Sequence, residues 1–343
     1  MKVGILTGGG DCPGLNPAIR GFVMRGLDFG LHVTGIRQGW RGLVQGIVDS
    51  EPLTVADVEP LIWQGGTALL SSRTNPYASP ADLEATRANI RKYGFEALVA
   101  LGGEDTLGVA SRLFDEGINT VGVPKTMDND LDKTDYTFGF DSALGVCVEC
   151  IDRVRDTARS HRRVLVVEVM GRHAGFVALN AGIAGGADWI LLPEETPDIG
   201  AMCRHLETVY ARKGYAIVVA SEGAVLAGAD AGAGGGLDSF GHQSLSAVEV
   251  GRTVAAEIER RTEIETRHVV LGHIQRGGAP SAFDRVLATR LGIHAAECVH
   301  EGDFGKMVAL RGNAIIRVEL RDAVRARQVP TKLIAEARTL TNK

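Results

Sequence analysis

The chain has 343 residues, 45% of them hydrophobic and 23% charged, with 44 glycines and a formal net charge of −5. That is core-forming material for two domains or one large α/β unit, with many tight turns. The negative balance offers no general attraction to nucleic acid or to an anionic membrane, so an anionic ligand has to be held by locally placed Arg and Lys.

The first segment, KVGILT (2–7), reads as a short apolar strand broken by Gly8-Gly9-Gly10. A helix is expected from near Asn16, with apolar residues at Ile19, Phe22, Val23 and Leu27, and HVTGIR (32–37) supplies the returning strand. The dinucleotide fingerprint GxGxxG fails because Pro13 stands where its last glycine belongs, and no Gly-Lys-Ser/Thr follows to make a Walker A loop. A run of backbone N–H groups at the start of a helix suits phosphate oxygens; a plain tight turn fits equally. Arg73 lies near the end of the glycine-led apolar segment 65–74. A helix over 79–94 follows, with Ser79 as cap, Pro80 in the first turn and Gly94 as stop.

From there strand and helix alternate: strand 95–103, helix 106–115, strand 119–125, a long helix 141–160 and strand 163–170. A small-residue helix 174–185, strand ADWILLPE, a helix of about 200–212 and strand YAIVVASEG continue the rhythm, which implies parallel pairing and a second domain. Residues 223–241 are Gly- and Ala-rich and are expected to form a flexible surface loop. Helix 244–261, strand 266–273, a helix from about Ser281 and a polar helical tail complete the chain.

Five cysteines (12, 147, 150, 203 and 298) are an odd number, which argues against a disulfide framework and for a reducing compartment. Cys147 and Cys150 form a CxxC with no answering pair, read as two half-buried thiols on a helix. With a strand at the N-terminus and no apolar run near 18 residues, the protein is expected to be cytoplasmic and soluble.

Two strand ends carry the densest chemistry. VALGGEDT delivers Glu104 and Asp105; VPKTMDND delivers Lys125, Thr126, Asp128 and Asp130. In an open α/β sheet, ligands bind outside the carboxyl ends of the strands, so both clusters should share one crevice. Asn and Asp also favour turns, but a lysine, a hydroxyl and two carboxylates together can bind an anion, orient a hydroxyl and remove its proton. Asp128 is the expected general base and Asp130 its supporting charge. Glu104 and Asp105 are expected to attract Mg²⁺, a hard cation that takes oxygen ligands together with phosphates; a solvated helix N-terminus is the other reading. Arg163, Arg172, Arg267, His273 and Arg276 all fall at strand ends, and Arg grips phosphate in a bidentate fork.

The ordered motifs GILTGGGDCPGLNPAIRG, GGT…SSR, LGGEDT, PKTMDND, VVEVMGRHAG, ASEG and TRHVVLGHIQRGG resemble the 6-phosphofructokinase family over residues 1 to about 311. The resemblance implies an α/β fold of two Rossmann-like three-layer domains with mainly parallel sheets and the active site in the cleft between them. Residues 1–139 with about 274–311 would hold the phosphoryl donor, 140–273 fructose 6-phosphate, and 312–343 would be a helical tail. It implies that Asp128 deprotonates the sugar 1-hydroxyl with help from Asp130 and Thr126, and that Arg172 stabilises the transferring phosphoryl group. Met170, Gly171, Arg172 and Glu222 would hold the sugar. Arg163, Arg267, His273 and Arg276 would hold its 6-phosphate, the first two from a neighbouring subunit, so a homodimer or homotetramer is expected. Gly10 and Arg73 would contact the donor.

Two positions bear on that donor. ATP-using members resemble GGDGS and PGTIDND, with glycine where this chain has Asp105 and Lys125; pyrophosphate-using members carry Asp and Lys. A carboxylate near a nucleotide's α-phosphate costs ~4 kcal/mol at about 4 Å and an effective dielectric near 20, roughly three orders of magnitude in affinity. Lys125 offsets it and can neutralise phosphate charge. Pyrophosphate with Mg²⁺ is therefore expected, ATP dependence or a non-catalytic sugar-phosphate sensor being the alternatives. Glu104 departs from the family's more common Asp, and His173 from a more usual aromatic.

Overall fold

The computed structural model describes residues 1–226, 240 and 249–341. Two sheets divide the chain. The larger has six strands in the order β10-β9-β4-β3-β1-β2: β1 (Lys2–Thr7), β2 (His32–Ile36), β3 (Ala97–Gly102), β4 (Thr120–Pro124), β9 (Lys306–Arg311) and β10 (Ala314–Glu319). The smaller runs β6-β7-β5-β8, with β5 (Val164–Val169), β6 (Trp189–Leu191), β7 (Ala216–Ser221) and β8 (Thr266–Val270). Every pairing is parallel except β9 with β10. All six residues of β3 are buried, as are all six of β5 and of β7, so these strands are covered on both faces.

The helices are α1 (Leu15–Asp28), α2 (Trp40–Gln45), α3 (Val55–Val58), α4 (Pro80–Tyr93), α5 (Glu104–Asp115) and α6 (Phe140–His161), then α7 (Phe176–Ala184), α8 (Ile199–Lys213), α9 (Val250–Thr262), α10 (Ala282–Glu301), α11 (Leu320–Ala323) and α12 (Thr331–Thr341). The chain leaves the large sheet through α6 and returns through α10, which lies along α1. Helix α4 starts and stops as its sequence dictates: the Ser79 hydroxyl accepts the Asp82 N–H at 3.1 Å, and Gly94 closes it in the left-handed region. No helix among the described residues is long and apolar enough to cross a membrane.

Three expectations are corrected. The tail is not helical throughout: Ala314–Glu319 is a strand, because the turn at Gly312 (φ +57°) folds it back antiparallel on β9, burying part of its Ile-rich face. The strand expected over 266–273 ends at Val270; Gly272 (φ +49°) turns the chain into a 3₁₀ segment, Gly272–Arg276. Cys147 is wholly buried, donating its thiol to Gln275 Oε1 at 3.1 Å, and only Cys150 is half-buried. Burial pushes the Cys147 thiol up to about 12, far from a redox-active thiolate. Most of the Gly-rich segment, 227–239 and 241, and the first residues of the helix expected from 244 lie outside the described residues.

Candidate active site

The carboxyl ends of six strands, three from each sheet, open on one cleft of about 510 Å³. From the large sheet, β1 contributes Gly9 and Gly10, β3 contributes Gly103, Glu104 and Asp105, and β4 contributes Lys125, Thr126, Asp128 and Asp130. From the small sheet, β5 contributes Met170, Arg172 and His173, β7 contributes Glu222, and β8 contributes Val270, His273 and Arg276. Arg73 also lines the cleft. Gly171 stands between two lining residues and donates its N–H to Glu222 Oε1 at 3.4 Å.

Arg163 and Arg267 are not brought to the cleft of their own chain. Both engage Glu265, at 2.9 and 2.7 Å, beside the outer strand β8.

The strand ends meet because their glycines allow it. A Cβ on Gly102 would lie 2.2 Å from Thr106 Cβ, and one on Gly8 2.5 Å from Thr106 Oγ1, so β1 and β3 close on the first turn of α5 only without side chains. Lys125 is 3% exposed, and its Nζ donates to the Gly10 carbonyl. Burial holds this amine below its ordinary range; Asp128 and Asp11 oppose that shift, and the guanidinium of Arg276 adds to it. Arg276 reaches across from the small-sheet side and donates to the Asp11 carbonyl at 3.0 Å. The glycine loop is thus held from both sheets.

The loop after β4 is built around buried Met127. The Asp128 N–H donates to Thr126 Oγ1 at 3.1 Å; Asn129 takes φ +53°, and its Oδ1 accepts the Thr137 N–H at 3.0 Å. The Thr137 hydroxyl donates to the Thr126 carbonyl at 2.6 Å. These bonds aim Asp128 into the cleft with Oδ1 buried and no hydrogen-bond partner for it among the described residues. Burial, then the charge of Asp128, pushes the Asp130 carboxyl up to about 7, so near neutral pH Asp130 is partly protonated. Glu222 is also pushed up, by burial first and then by Asp128.

Sequence reasoning missed two further cleft carboxylates, Glu168 and Glu249. Glu168 could have been found: it interrupts the apolar run VLVVEV, and it is 6% exposed with Oε2 accepting the Gly251 N–H at 2.6 Å near the start of α9. Its carboxyl is pushed up by burial. Among the described residues, seven carboxylates (Glu104, Asp105, Asp128, Asp130, Glu168, Glu222 and Glu249) then face four cations (Arg73, Lys125, Arg172 and Arg276). An anionic ligand here needs contact with those cations, and the acidic excess favours a divalent metal travelling with it.

The arrangement has counterparts in known proteins. The family model described as phosphofructokinase matches residues 2–299. The chain is 55% identical over 327 residues to the pyrophosphate–fructose 6-phosphate 1-phosphotransferase of Streptomyces coelicolor, covering 94% of each chain. It is 48% identical over 341 residues to ATP-dependent 6-phosphofructokinase 3 of the same organism, covering 98% of this chain and 99% of that one. Among solved structures, phosphofructokinase from Saccharomyces cerevisiae superposes with a TM-score of 0.80 at 30% identity; this chain is covered to 99% and spans 47% of the yeast chain. With the two sheets, the shared cleft and these matches in agreement, the chain belongs to the phosphofructokinase family.

Proposed function

We propose that the enzyme transfers a phosphoryl group from pyrophosphate to the 1-hydroxyl of fructose 6-phosphate, giving fructose 1,6-bisphosphate and phosphate, in a reaction that runs in either direction of glycolysis and gluconeogenesis. The observation that carries the choice of donor is the presence in one cleft of Asp105, in the first turn of α5, and of buried Lys125, at the end of β4. A carboxylate there opposes the inner phosphate of a nucleotide, while Lys125 favours a small, highly charged anion. The Streptomyces pyrophosphate enzyme at 55% identity supports this reading, and the ATP-dependent relative at 48% keeps the nucleotide reading as the one to test against it.

In this mechanism Asp128 takes the proton of the sugar hydroxyl at its unpartnered Oδ1, and Asp130 supports it from the same loop. Arg172 and Lys125 approach from opposite sheets and balance charge on the phosphoryl group as it passes between donor and acceptor. Met170, Gly171 and Glu222 hold the sugar, and His273 and Arg276 its phosphate. Arg163 and Arg267 serve the same phosphate in a neighbouring subunit of a homo-oligomer. Little covalent work falls to the protein; fixing the reacting oxygens in line is its main contribution.

Among the described residues no group of three or more His, Cys, Asp or Glu is arranged to hold a metal unaided. Mg²⁺ does not require one, since it is usually bound through one or two carboxylates, water and substrate phosphates. Glu104, a hard oxygen donor on the cleft wall, fits that role. Glu104 would hold Mg²⁺, which when bound would supply positive charge to offset that of the phosphates.

The deciding assay gives purified enzyme and fructose 6-phosphate each donor in turn. Turnover with pyrophosphate and none with ATP is expected; rapid turnover with ATP alone would overturn the choice of donor. Replacing both Asp105→Gly and Lys125→Gly should lower pyrophosphate activity by about three orders of magnitude.

A further inference from the structure

The C-terminal tail, beyond the stretch that the family model matches, passes directly behind the loop that carries Asp128. Leu131 and Ala326 pair in an antiparallel bridge, and the Asp132 N–H donates to the Arg325 carbonyl at 3.0 Å. Next to them Arg327 makes three bonds to the loop and its continuation. Its backbone N–H donates to the Asp130 carbonyl at 2.7 Å, its Nε to the Asn129 carbonyl at 2.9 Å, and its Nη2 to the Asp135 carbonyl at 2.9 Å. The guanidinium lies 4.9 Å from the ring centre of Phe176, the first residue of α7, which flanks the small sheet. Two residues on, the Val329 N–H donates to Glu194 Oε1 at 2.9 Å, and α12 then packs on α7 through buried Ile334 and Ala337.

We infer that Arg327 is a positioning residue for phosphoryl transfer: from the tail it holds the Asn129–Asp130 turn, and with it Asp128, in place against the small-sheet domain. Asn129 takes a positive φ that asparagine tolerates, and the bonds from Arg327 to the Asn129 and Asp130 carbonyls fix where that turn stands. The fork suits that task because three carbonyls converge on one residue and a guanidinium supplies donors in fixed directions. The Phe176 ring lies beside the fork. A phosphofructokinase can thereby register its general base against the sugar site without using any residue that touches substrate.

The inference rests on Asp128 being the base, and the experiment separates the two. Arg327→Gln and the milder Arg327→Lys are assayed with whichever donor the parent enzyme turns over. Arg327→Gln is expected to lower kcat by about 30-fold or more while KM for fructose 6-phosphate changes less than about threefold, a loss of the size usual for a misplaced catalytic group. Arg327→Lys, which keeps charge and loses the fork, should fall between.

The guanidinium interacts by charge with Asp135, Asp130 and Asp132, so Arg327→Gln should also move the acidic limb of the kcat profile to higher pH, and Arg327→Lys should leave it nearly in place. Amide hydrogen exchange across residues 126–132 should quicken in both variants. A folded Arg327→Gln with unchanged kcat, an unmoved limb or unchanged exchange overturns the inference; should it not fold, unchanged kcat or unchanged exchange in Arg327→Lys overturns it. If Asp128→Ser keeps parental turnover, the base is wrongly assigned, whereas altered exchange in Arg327→Gln would still report the strap.

Discussion

Lys125→Met is the sharpest single probe of the donor site. It removes the buried ammonium and keeps most of the volume, and Lys125 is 3% exposed with its Nζ on the Gly10 carbonyl. A unit charge in contact with a phosphate oxygen, at about 4 Å and an effective dielectric near 20, is worth about 4 kcal/mol. Two features of the site reduce that figure. The Arg276 guanidinium already serves the same neighbourhood, and only part of the donor's charge shifts in the transition state. About half, ~2 kcal/mol, is then the floor, so kcat/KM for pyrophosphate should fall between roughly 30-fold and 1000-fold.

The same change leaves the Gly10 carbonyl without its donor, which should cost about 1–3 kcal/mol of stability. Two measurements separate these effects. Steady-state kinetics with varied pyrophosphate gives the catalytic loss, and calorimetric titration with fructose 6-phosphate reports the small-sheet half of the cleft, where affinity should stay within about threefold. A Lys125→Met enzyme that keeps kcat/KM for pyrophosphate within threefold of the parent would refute the role given to this cation. An equal fall in sugar-phosphate affinity would mean that the glycine loop had collapsed and that charge was not the cause.

Asp128→Ser should cut turnover by at least ~100-fold with fructose 6-phosphate affinity nearly intact; full turnover would remove Asp128 as base. The acidic limb of kcat/KM should fall near pH 7, where Asp130 takes up a proton and the charge with which it supports Asp128 is lost, and Asp130→Asn should remove that limb. A limb that stays put in Asp130→Asn would break the proposed coupling. Asp284 tests the point where α6 and α10 meet: it is fully buried, and Oδ2 accepts the Ser142 N–H at 2.8 Å and its hydroxyl at 2.6 Å. Burial pushes its carboxyl up to about 6, so the stability it lends is present below about pH 4 and is lost as pH rises through about 6, ~3 kcal/mol across that window. Denaturation of Asp284→Asn at pH 4 and pH 7 should show a flatter profile than the parent; parallel profiles would contradict the shift.

What the sequence made legible depends on where the information sits. Strands β1, β3, β4, β5 and β7 declare themselves because each is an apolar run ending in glycine or a charged turn, and the residues that follow a strand are bound to its carboxyl end. That local rule was enough to gather Glu104, Asp105, Lys125, Thr126, Asp128 and Asp130 into one crevice, while the family resemblance joined Gly10, Arg172 and Glu222 to it. Strand β10 stayed hidden because its partner is β9, and a hairpin around Arg311-Gly312-Asn313 looks like any polar turn until the pairing is known.

Arg327 stayed hidden for a deeper reason. Its three acceptors are backbone carbonyls, at Asn129, Asp130 and Asp135, and a carbonyl carries no residue type that a distant arginine could be matched to. The chemistry of this site is therefore spelled out in side chains at strand ends, while the means of holding that chemistry still lies in main-chain contacts almost two hundred residues apart. Substitutions in the tail should for that reason change turnover before they change substrate affinity, the reverse of what substitutions at His273 or Arg276 should do.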